Sequence, residues 1–155
     1  MKIMDFLNRK AVTTDIKAKD KEGVIRELVD LLSKTGVIKG KKEDIVKILL
    51  AREALGSTGI GQGIGIPHAK SQYVKTLVAA FGLSKEGIDF ESLDGEPTHI
   101  FFLLLAPEDS AGPHLKALAR ISRLLKDKYV RDMLKNAKDE KDIVRIITDE
   151  DSKKR

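Results

Sequence analysis

Apolar positions recur with helical spacing in two segments of the first third of the chain. In residues 21–35 they fall on one helix face, formed by Val24, Ile25, Leu28, Val29 and Leu32. Asp20 is placed to cap this helix and Gly36 to end it. A second helix is predicted for residues 42–55, with Ile45, Val46, Leu49 and Leu50 facing inward. Gly56 follows and marks its end.

The next segment is rich in glycine and predicts extended backbone. Residues 56–68 contain five glycines, and a glycine inside a strand usually marks the close approach of another backbone or of a ligand. Ile64 and Ile66 would share one face of this strand. Pro67 has no N–H donor, so it would end the strand and present His68 at the rim.

Two buried strands and three helices account for the remaining apolar residues. The strands are predicted over residues 76–83 and 98–105, with a turn at Asp94-Gly95 between them. A helix opening near Pro113 would carry one apolar face, formed by Leu115, Leu118, Ala119, Ser122 and Leu125. Two short helices follow, over residues 129–134 and 143–147, with Asp139 as a cap for the second. Residues 149–155 would fray.

This order of elements predicts one domain built around a mixed sheet. Two helices, a block of strands and further helices fit a three-layer α/β or α+β fold. The domain is predicted to cover residues 1–150, with a disordered tail over residues 151–155. A chain of 155 residues is long enough for one sizeable core.

Composition narrows the functional classes. The chain has no cysteine, which excludes disulfides, thiolate metal sites and a cysteine nucleophile. Its 29 basic and 24 acidic residues are interspersed and give a net charge of +5, without the block of like charge typical of a nucleic-acid-binding arm. No apolar run approaches the ~20 residues that span a bilayer, and no secretory signal is recognisable. We therefore expect a cytoplasmic protein that neither binds nucleic acid nor inserts into a membrane.

Three histidines are candidates for chemistry, namely His68, His99 and His114. A neutral imidazole is a good nucleophile near pH 7, although a surface or capping role is the simpler interpretation of a lone Pro-His pair such as the one at His68. His114 follows Pro113 in the first turn of a predicted helix. The helix dipole disfavours imidazolium there and favours a nearby anion, with a packing role as the alternative. His99 opens a strand and receives no role.

Arg52, Ser57 and Thr58 would complete an anion site. Arg52 lies one turn beyond Leu49, and its planar guanidinium is suited to phosphate oxygens. It is equally suited to stabilising the C-terminus of its helix. The hydroxyls of Ser57 and Thr58 would add donors, or serve only the loop.

Neither a cofactor nor a metal site is indicated. The glycine segment lacks the Gly-Lys-Ser/Thr of a P-loop and the spacing of a dinucleotide fingerprint. Two histidines with a carboxylate can bind zinc, but the His-x-Glu and His-Glu-x-x-His spacings are missing. A metal-dependent hydrolase is therefore the weakest alternative, and a phosphoryl group would have to arrive on another protein.

Four motifs resemble the IIA domains of the bacterial phosphotransferase system, of the fructose, mannitol and nitrogen-regulatory type. They are REALGSTGIGQGIGIPH at 52–68, DGEP at 94–97, LLAP at 104–107 and HLKALA at 114–119. The motifs follow one another in the order of that family and cover nearly the whole chain. The resemblance implies an α/β sandwich, a mixed sheet with helices on both sides.

The resemblance also implies a function and the residues that perform it. His68 matches the phosphorylated histidine, His114 the second histidine that orients and stabilises it, and Arg52 the arginine that neutralises phosphate. The donor would be a phosphohistidine carrier protein, and no cofactor is implied. The phosphoryl group would then pass to a IIB component for sugar uptake, or act as a regulatory switch on a target protein.

Two details refine this expectation. Gly65 stands where the family more often has alanine, which would loosen the strand without removing a catalytic group. The residue pattern at 55–61, and a sequence without a fused IIB or IIC domain, favour the nitrogen-regulatory subtype. The alternative function is a purely regulatory module whose binding partners depend on its phosphorylation state.

Overall fold

The computed structural model describes residues 1–154 as six strands and five helices. A single 3-10 turn precedes them. The strands are β1 (Leu7–Thr13), β2 (Gly59–Gly61), β3 (Ile64–Gly65), β4 (His68–Lys70), β5 (Val78–Ile88) and β6 (Thr98–Ala106). The helices are α1 (Lys21–Ser33), α2 (Lys42–Ala54), α3 (Ala111–Leu125), α4 (Lys128–Lys135) and α5 (Glu140–Lys153).

All six strands form one mixed sheet in the order β1-β5-β6-β3-β2, with β4 also paired to β6. The β5–β6 and β2–β3 pairs are antiparallel, whereas β1 is parallel to β5, and both β3 and β4 are parallel to β6. The segment from Ile64 to Lys70 therefore pairs with the same edge of β6 in two places, as β3 and as β4, and the pairing is interrupted at Ile66 and Pro67. Pro67 cannot donate to the ladder, but its carbonyl accepts the N–H of Leu104 at 2.9 Å.

Apolar residues form one core on each face of the sheet. Helices α1 and α2 pack on the face that carries Ala80, Phe101 and Leu103, whereas α3, α4 and α5 pack on the face that carries Phe81 and Phe102. Successive strand residues point to opposite faces, which explains why neighbours in β6 belong to different cores. This arrangement confirms the predicted three-layer α/β fold with a mixed sheet.

The structure differs from the sequence prediction in the first strand and in the glycine segment. Strand β1 was not predicted, because a register irregularity between Leu7 and Val12 breaks its alternation. The glycine segment is a β2–β3 hairpin rather than one strand, with Gln62 and Gly63 at φ of 59° and 79° in its turn. The sequence predicted that His68 would end this strand, whereas in the structure His68 begins β4.

Two further differences concern the helices near the C-terminus. The predicted inward face of α3 is right for the buried Leu125 and wrong for Leu115, Ala119 and Ser122, which are exposed, Leu115 to 67%. The buried residues of α3 are His114, Ala117, Ile121, Leu124 and Leu125. Helix α5 continues through Lys153, into the segment expected to fray, because the buried Asp151 accepts hydrogen bonds from the Ile3 N–H and from Arg120. Arg155, the last residue of the predicted tail, lies outside the described residues.

Candidate active site

His68 is held by its own backbone segment. It pairs with Leu104 at the start of β4, directly after the proline that interrupts the sheet edge. Its Nδ1 lies 2.6 Å from the carbonyl oxygen of Ile66. A carbonyl can only accept a hydrogen bond, so Nδ1 carries the ring proton. The lone pair of the neutral ring is therefore on Nε2, which is the nucleophilic nitrogen.

His114 brings a second imidazole to His68 from the opposite direction. It lies in the first turns of α3, and the two ring centroids are 5.6 Å apart at an interplanar angle of 69°. The side chain is only 8% exposed, and its Nε2 has no hydrogen-bond partner among residues 1–154. Buried polar atoms almost always have a partner. This ring nitrogen is therefore available to an added group.

Burial keeps both imidazoles neutral near pH 7. Burial is the main reason that the pKa of His68 lies below the ordinary value of 6.5, with the charge of Arg52 adding to the shift. The hydrogen bond to Ile66 and the charge of Glu53 act in the opposite direction. Burial also lowers the pKa of His114, followed by the charges of His68 and Lys70. Neutral rings keep the lone pairs that nucleophilic attack requires.

Arg52 supplies a positive charge to the same place. It lies in the last turn of α2, and one guanidinium nitrogen donates to the Gly56 carbonyl at 2.8 Å. That contact closes the C-terminal turn and leaves the other guanidinium donors available. The structure thus places His68 beside His114, and the charge of Arg52 is near enough to lower the pKa of His68.

The two hydroxyl candidates are committed to other contacts. Ser57 Oγ donates to the Phe90 carbonyl at 2.8 Å, and the Thr58 hydroxyl donates to the buried carboxylate of Glu53. Neither hydroxyl proton is free for a phosphate oxygen in this conformation. The sequence left two roles open for Ser57 and Thr58, as phosphate donors or as loop residues, and these contacts fit the second role, in the loop after α2.

Glu53 is a polar residue of this region to which sequence reasoning gave no role. Its carboxylate is 4% exposed, accepts from the Thr58 N–H at 3.0 Å and is paired with Lys21 at 2.9 Å. A carboxylate is rarely this buried unless it is paired. The sequence signal was present, since Glu53 lies on the inward side of α2 beside Leu49, where an unpaired charge would be costly.

The DGEP motif supports the glycine hairpin. The Asp94 carboxylate accepts from the Gln62 N–H at 2.9 Å, and also from the Ser92 hydroxyl and the Glu96 N–H. These bonds, with that of Gln62 first, hold the pKa of Asp94 below its ordinary value. Both turn residues, Gln62 and Gly63, have positive φ, as in a type I′ hairpin. Asp94 therefore fixes the hairpin that precedes Ile66 and His68.

His99 stands apart from this cluster. Its Nδ1 lies 2.9 Å from the Ser84 carbonyl, as expected of a structural histidine. Over residues 1–154, no three His, Cys, Asp or Glu side chains come together as a set that could hold a metal ion. None of the helices in that range has the length and apolarity to cross a bilayer.

Comparison with known proteins identifies the family. Residues 5–150 match the family model described as phosphoenolpyruvate-dependent sugar phosphotransferase system, EIIA 2. The chain belongs to this EIIA family. It is 42% identical over 151 residues to the fructose-specific EIIABC component of Bacillus subtilis, covering 97% of this chain and 24% of that relative. It is 38% identical over 148 residues to a nitrogen regulatory protein of Bradyrhizobium diazoefficiens, covering 95% of both chains.

A solved structure agrees with this assignment. The nitrogen regulatory protein IIA-Ntr of Neisseria meningitidis superimposes with a TM-score of 0.87 at 31% identity, covering 94% of this chain and 98% of that one. The fold is therefore the EIIA fold, with a mixed sheet between two helical layers. The chain is a phosphocarrier component of the phosphotransferase system, and its relatives include fructose-specific and nitrogen regulatory proteins.

Proposed function

We propose that this EIIA protein accepts a phosphoryl group on Nε2 of His68 from a phosphohistidine carrier protein. The observation that carries the proposal is the 2.6 Å contact between His68 Nδ1 and the Ile66 carbonyl. It fixes the tautomer and leaves Nε2 as the nucleophile. The second support is His114, whose buried Nε2 has no partner within residues 1–154.

The transfer is a displacement between two imidazole nitrogens. The lone pair on His68 Nε2 forms the new P–N bond while the P–N bond of the donor breaks, and the donor nitrogen keeps that electron pair. The Nδ1 proton stays on its ring, hydrogen-bonded to the Ile66 carbonyl. Phosphoryl transfer of this kind proceeds through a loose transition state whose charge lies on the transferred oxygens. Positioning and charge stabilisation are therefore the main contributions of the protein.

Arg52 and His114 are suited to stabilise that charge. The guanidinium of Arg52 adds a permanent positive charge, and its planar donors match phosphate oxygens. A dianion beside His114 would favour its protonated form, so its Nε2 would become a donor at the moment when negative charge arrives. The N–H groups of the first turn of α3 would add positive potential at the phosphoryl group. They are not occupied by the N-cap residue Ser110, whose side chain makes no capping bond.

A basic and apolar groove between the hairpin that precedes His68 and helix α3, which carries His114, would receive the carrier protein. A groove of about 490 Å³ between the hairpin and α3 is lined by Ile60, Ala119, Arg123 and Lys126, among others. Exposed Leu115 lies on the same helix. Charge complementarity favours a carrier whose docking face is acidic and presents an apolar side chain. Charge reversal at Arg123 should then raise KM for the carrier and leave kcat unchanged.

Replacing the acceptor tests the proposal directly. His68→Ala should incorporate no acid-labile phosphate from a phosphorylated carrier, whereas His99→Gln should incorporate it at the normal rate. Mapping of the phosphorylated residue by mass spectrometry under alkaline conditions completes the test. Normal phosphate incorporation by folded His68→Ala protein would refute the assignment.

Relatives of both downstream types support two uses of the phosphoryl group. The first is relay to a IIB component during sugar uptake, as the name of the Bacillus subtilis EIIABC relative indicates for that protein. The second is regulation, as in the nitrogen regulatory relative. Incubation of the phosphorylated protein with a IIB component separates them. Rapid loss of phosphate to IIB supports relay, and phosphorylation-dependent capture of a target without phosphate loss supports the switch.

A further inference from the structure

A continuous series of hydrogen bonds connects a buried ion pair to His68. Lys21 Nζ lies 2.9 Å from Glu53 Oε1, and that carboxylate accepts both the N–H and the hydroxyl of Thr58. The Thr58 carbonyl accepts the N–H of Ile66 at 3.0 Å. The Ile66 carbonyl accepts the ring proton of His68 at 2.6 Å.

Each member of this series is fixed by the one before it. Glu53 is anchored in α2, and Lys21 in the first turn of α1, where its ammonium group also lies 4.8 Å from the centre of the Phe90 ring. The Lys21 side chain is only 13% exposed. Two helices therefore hold the carboxylate, and the carboxylate holds Thr58 by two bonds at once.

Burial of this ion pair needs an explanation beyond stability. Removing two charges from water costs about as much as their attraction returns, so a buried salt bridge is weak evidence for a stabilising role. Such a pair can instead select one conformation. Here the selected conformation is that of residues 56–58, whose Thr58 carbonyl is the acceptor for Ile66. The arrangement differs from the other buried glutamate, Glu150, whose partner Lys153 lies on the same helix and which contacts no site residue.

We propose that Glu53 is a positioning residue for His68, acting through Thr58 and Ile66, with Lys21 holding its carboxylate in place. This inference rests on the proposed role of His68 as the phosphoryl acceptor. Glu53 does not touch the phosphoryl group. It fixes the Ile66 carbonyl, and that carbonyl fixes both the tautomer and the direction of the His68 ring. The negative charge of Glu53 also opposes the effect of burial and Arg52 on the pKa of His68.

The sharpest test separates the two halves of the Thr58 side chain. Thr58→Val keeps the branched shape and loses the hydroxyl, whereas Thr58→Ser loses the methyl group and keeps the hydroxyl. A packing role predicts that the serine variant suffers more, and the positioning role predicts the opposite. Thr148→Val is the matched control, since that hydroxyl bonds to Val144 on the surface of α5.

The first readout does not depend on phosphorylation. Nitrogen-15 NMR of the His68 ring reports the tautomer, the pKa and the exchange rate of the Nδ1 proton. We expect faster Nδ1 proton exchange and a mixture of tautomers in Thr58→Val, and values close to the native ones in Thr58→Ser. Glu53→Gln should give the same faster Nδ1 exchange and mixed tautomers as Thr58→Val. It should also lower the pKa of His68, because the negative charge of Glu53 that raises this pKa is removed. Glu150→Gln controls for the loss of a buried glutamate, since the side chain of its lysine partner is 65% exposed.

The second readout is phosphoryl transfer. Groups that orient a metal-binding histidine are typically worth about 10- to 100-fold in activity, and we expect an effect of the same size on His68. We expect kcat to fall by that factor in Thr58→Val with KM for the phosphorylated carrier unchanged, because the docking surface is intact. Chemical phosphorylation by phosphoramidate, which needs no docking, should slow to the same extent. Thr58→Ser should recover most of the rate.

These readouts distinguish failure of the inference from failure of the proposed function. Folded Thr58→Val protein with native Nδ1 exchange and native transfer rates would overturn the positioning role while leaving His68 as the acceptor. If the native protein accepts no phosphate but Thr58→Val still alters the His68 tautomer, the proposed acceptor is wrong and the structural connection stands. If Glu53→Gln does not fold, the Thr58 pair decides alone.

Discussion

Replacement of His114 by leucine should stabilise the protein and slow its reaction. His114 is 8% exposed, and its Nε2 has no hydrogen-bond partner within residues 1–154. A functional group held in this state destabilises the unphosphorylated protein, since it has lost its hydration without gaining a partner. Leucine has a similar volume, carries no polar atom and is favoured in a helix.

The expected change in the free energy of unfolding has two contributions. An unsatisfied buried donor or acceptor costs about 1–3 kcal/mol, and leucine gains a few tenths of a kcal/mol over histidine in helix propensity. Allowing for imperfect packing, we expect the free energy of unfolding to rise by about 1 kcal/mol. In a domain of this size that corresponds to an increase in Tm of about 2–4 °C. The loss of one donor to the transition state should slow transfer by about 10²- to 10³-fold.

Urea unfolding at pH 7.5 measures the first quantity, and the rate of phosphate incorporation the second. His99→Leu is the control, because His99 already bonds to the Ser84 carbonyl, and its replacement should destabilise the protein by about 1 kcal/mol. Equal destabilisation of the two variants would refute the reasoning, since it would mean that His114 is as well satisfied as His99. Residual slow phosphorylation of His114→Leu is expected, because the nucleophile is retained.

Three further predictions use the same geometry. The pKa values of His68 and His114 are lowered in the folded protein, so the unfolded chain takes up protons at these histidines at a higher pH than the folded one. Urea titrations should therefore show a free energy of unfolding that is constant well above pH 6.5 and declines as the pH falls through 6.5. Arg52→Gln should raise the pKa of His68, because a neighbouring positive charge is removed, and slow transfer by about 10- to 100-fold in steady-state assays. Gly65→Ala should destabilise the protein by about 1 kcal/mol in the same unfolding assay, because the added Cβ would lie 3.2 Å from two ring carbons of Phe101 and overpacking outweighs the gain in backbone entropy.

The helices before the glycine segment could be predicted from the sequence because several signals agree. In α1 the apolar period, the capping Asp20 and the terminal Gly36 all indicate the same boundaries, and the structure places the Asp20 carboxylate 2.7 Å from the Gly23 N–H. The period in α2 indicates its inward residues Ile45, Val46 and Leu49. Local propensity and tertiary packing are consistent in these elements.

The glycine segment could not be predicted in detail, because its conformation depends on distant residues. The hairpin turn needs positive φ at Gln62, and glutamine gives no signal for that conformation. The turn is stabilised by Asp94, which lies 32 residues further along the chain. The interruption at Pro67 could be predicted from the sequence. The resumption of strand pairing at His68 could not, because this pairing depends on how far β6 extends.

The error in α3 has a different origin. Two offset stripes on this helix carry apolar residues, one with Leu115 and Leu118 and the other with Ala117 and Ile121. Spacing alone does not indicate which stripe faces the sheet. The structure buries the second stripe, which carries His114 into the site and leaves Leu115 exposed. A histidine at the start of an apolar stripe was therefore the more informative signal.

The candidate site shows which chemical information a sequence contains. The residue types of His68, His114 and Arg52 indicate an anion site, and the family motifs that carry them imply that the three side chains act together. The tautomer of His68 cannot be predicted in this way, because it depends on a 2.6 Å contact to the Ile66 carbonyl. The contribution of Glu53 depends on a hydrogen-bonded series through residues that are apart in the chain.

The electrostatics of the site make it sensitive to its own phosphorylation. In the free protein, burial and the neighbouring positive charges of Arg52 and Lys70 lower the pKa values of His68 and His114. If His68 is the acceptor, as proposed, phosphorylation would add nearly two negative charges, favour the protonated form of His114 and supply its Nε2 with an acceptor. The His114 imidazole, which destabilises the unphosphorylated protein, would then stabilise the phosphorylated one. A partner that contacts Leu115 and Arg123 on the same helix would meet a less positive surface after transfer than before it, because the phosphoryl group adds negative charge. Release of the donor and selection of the next partner can therefore follow from the charge of a single residue.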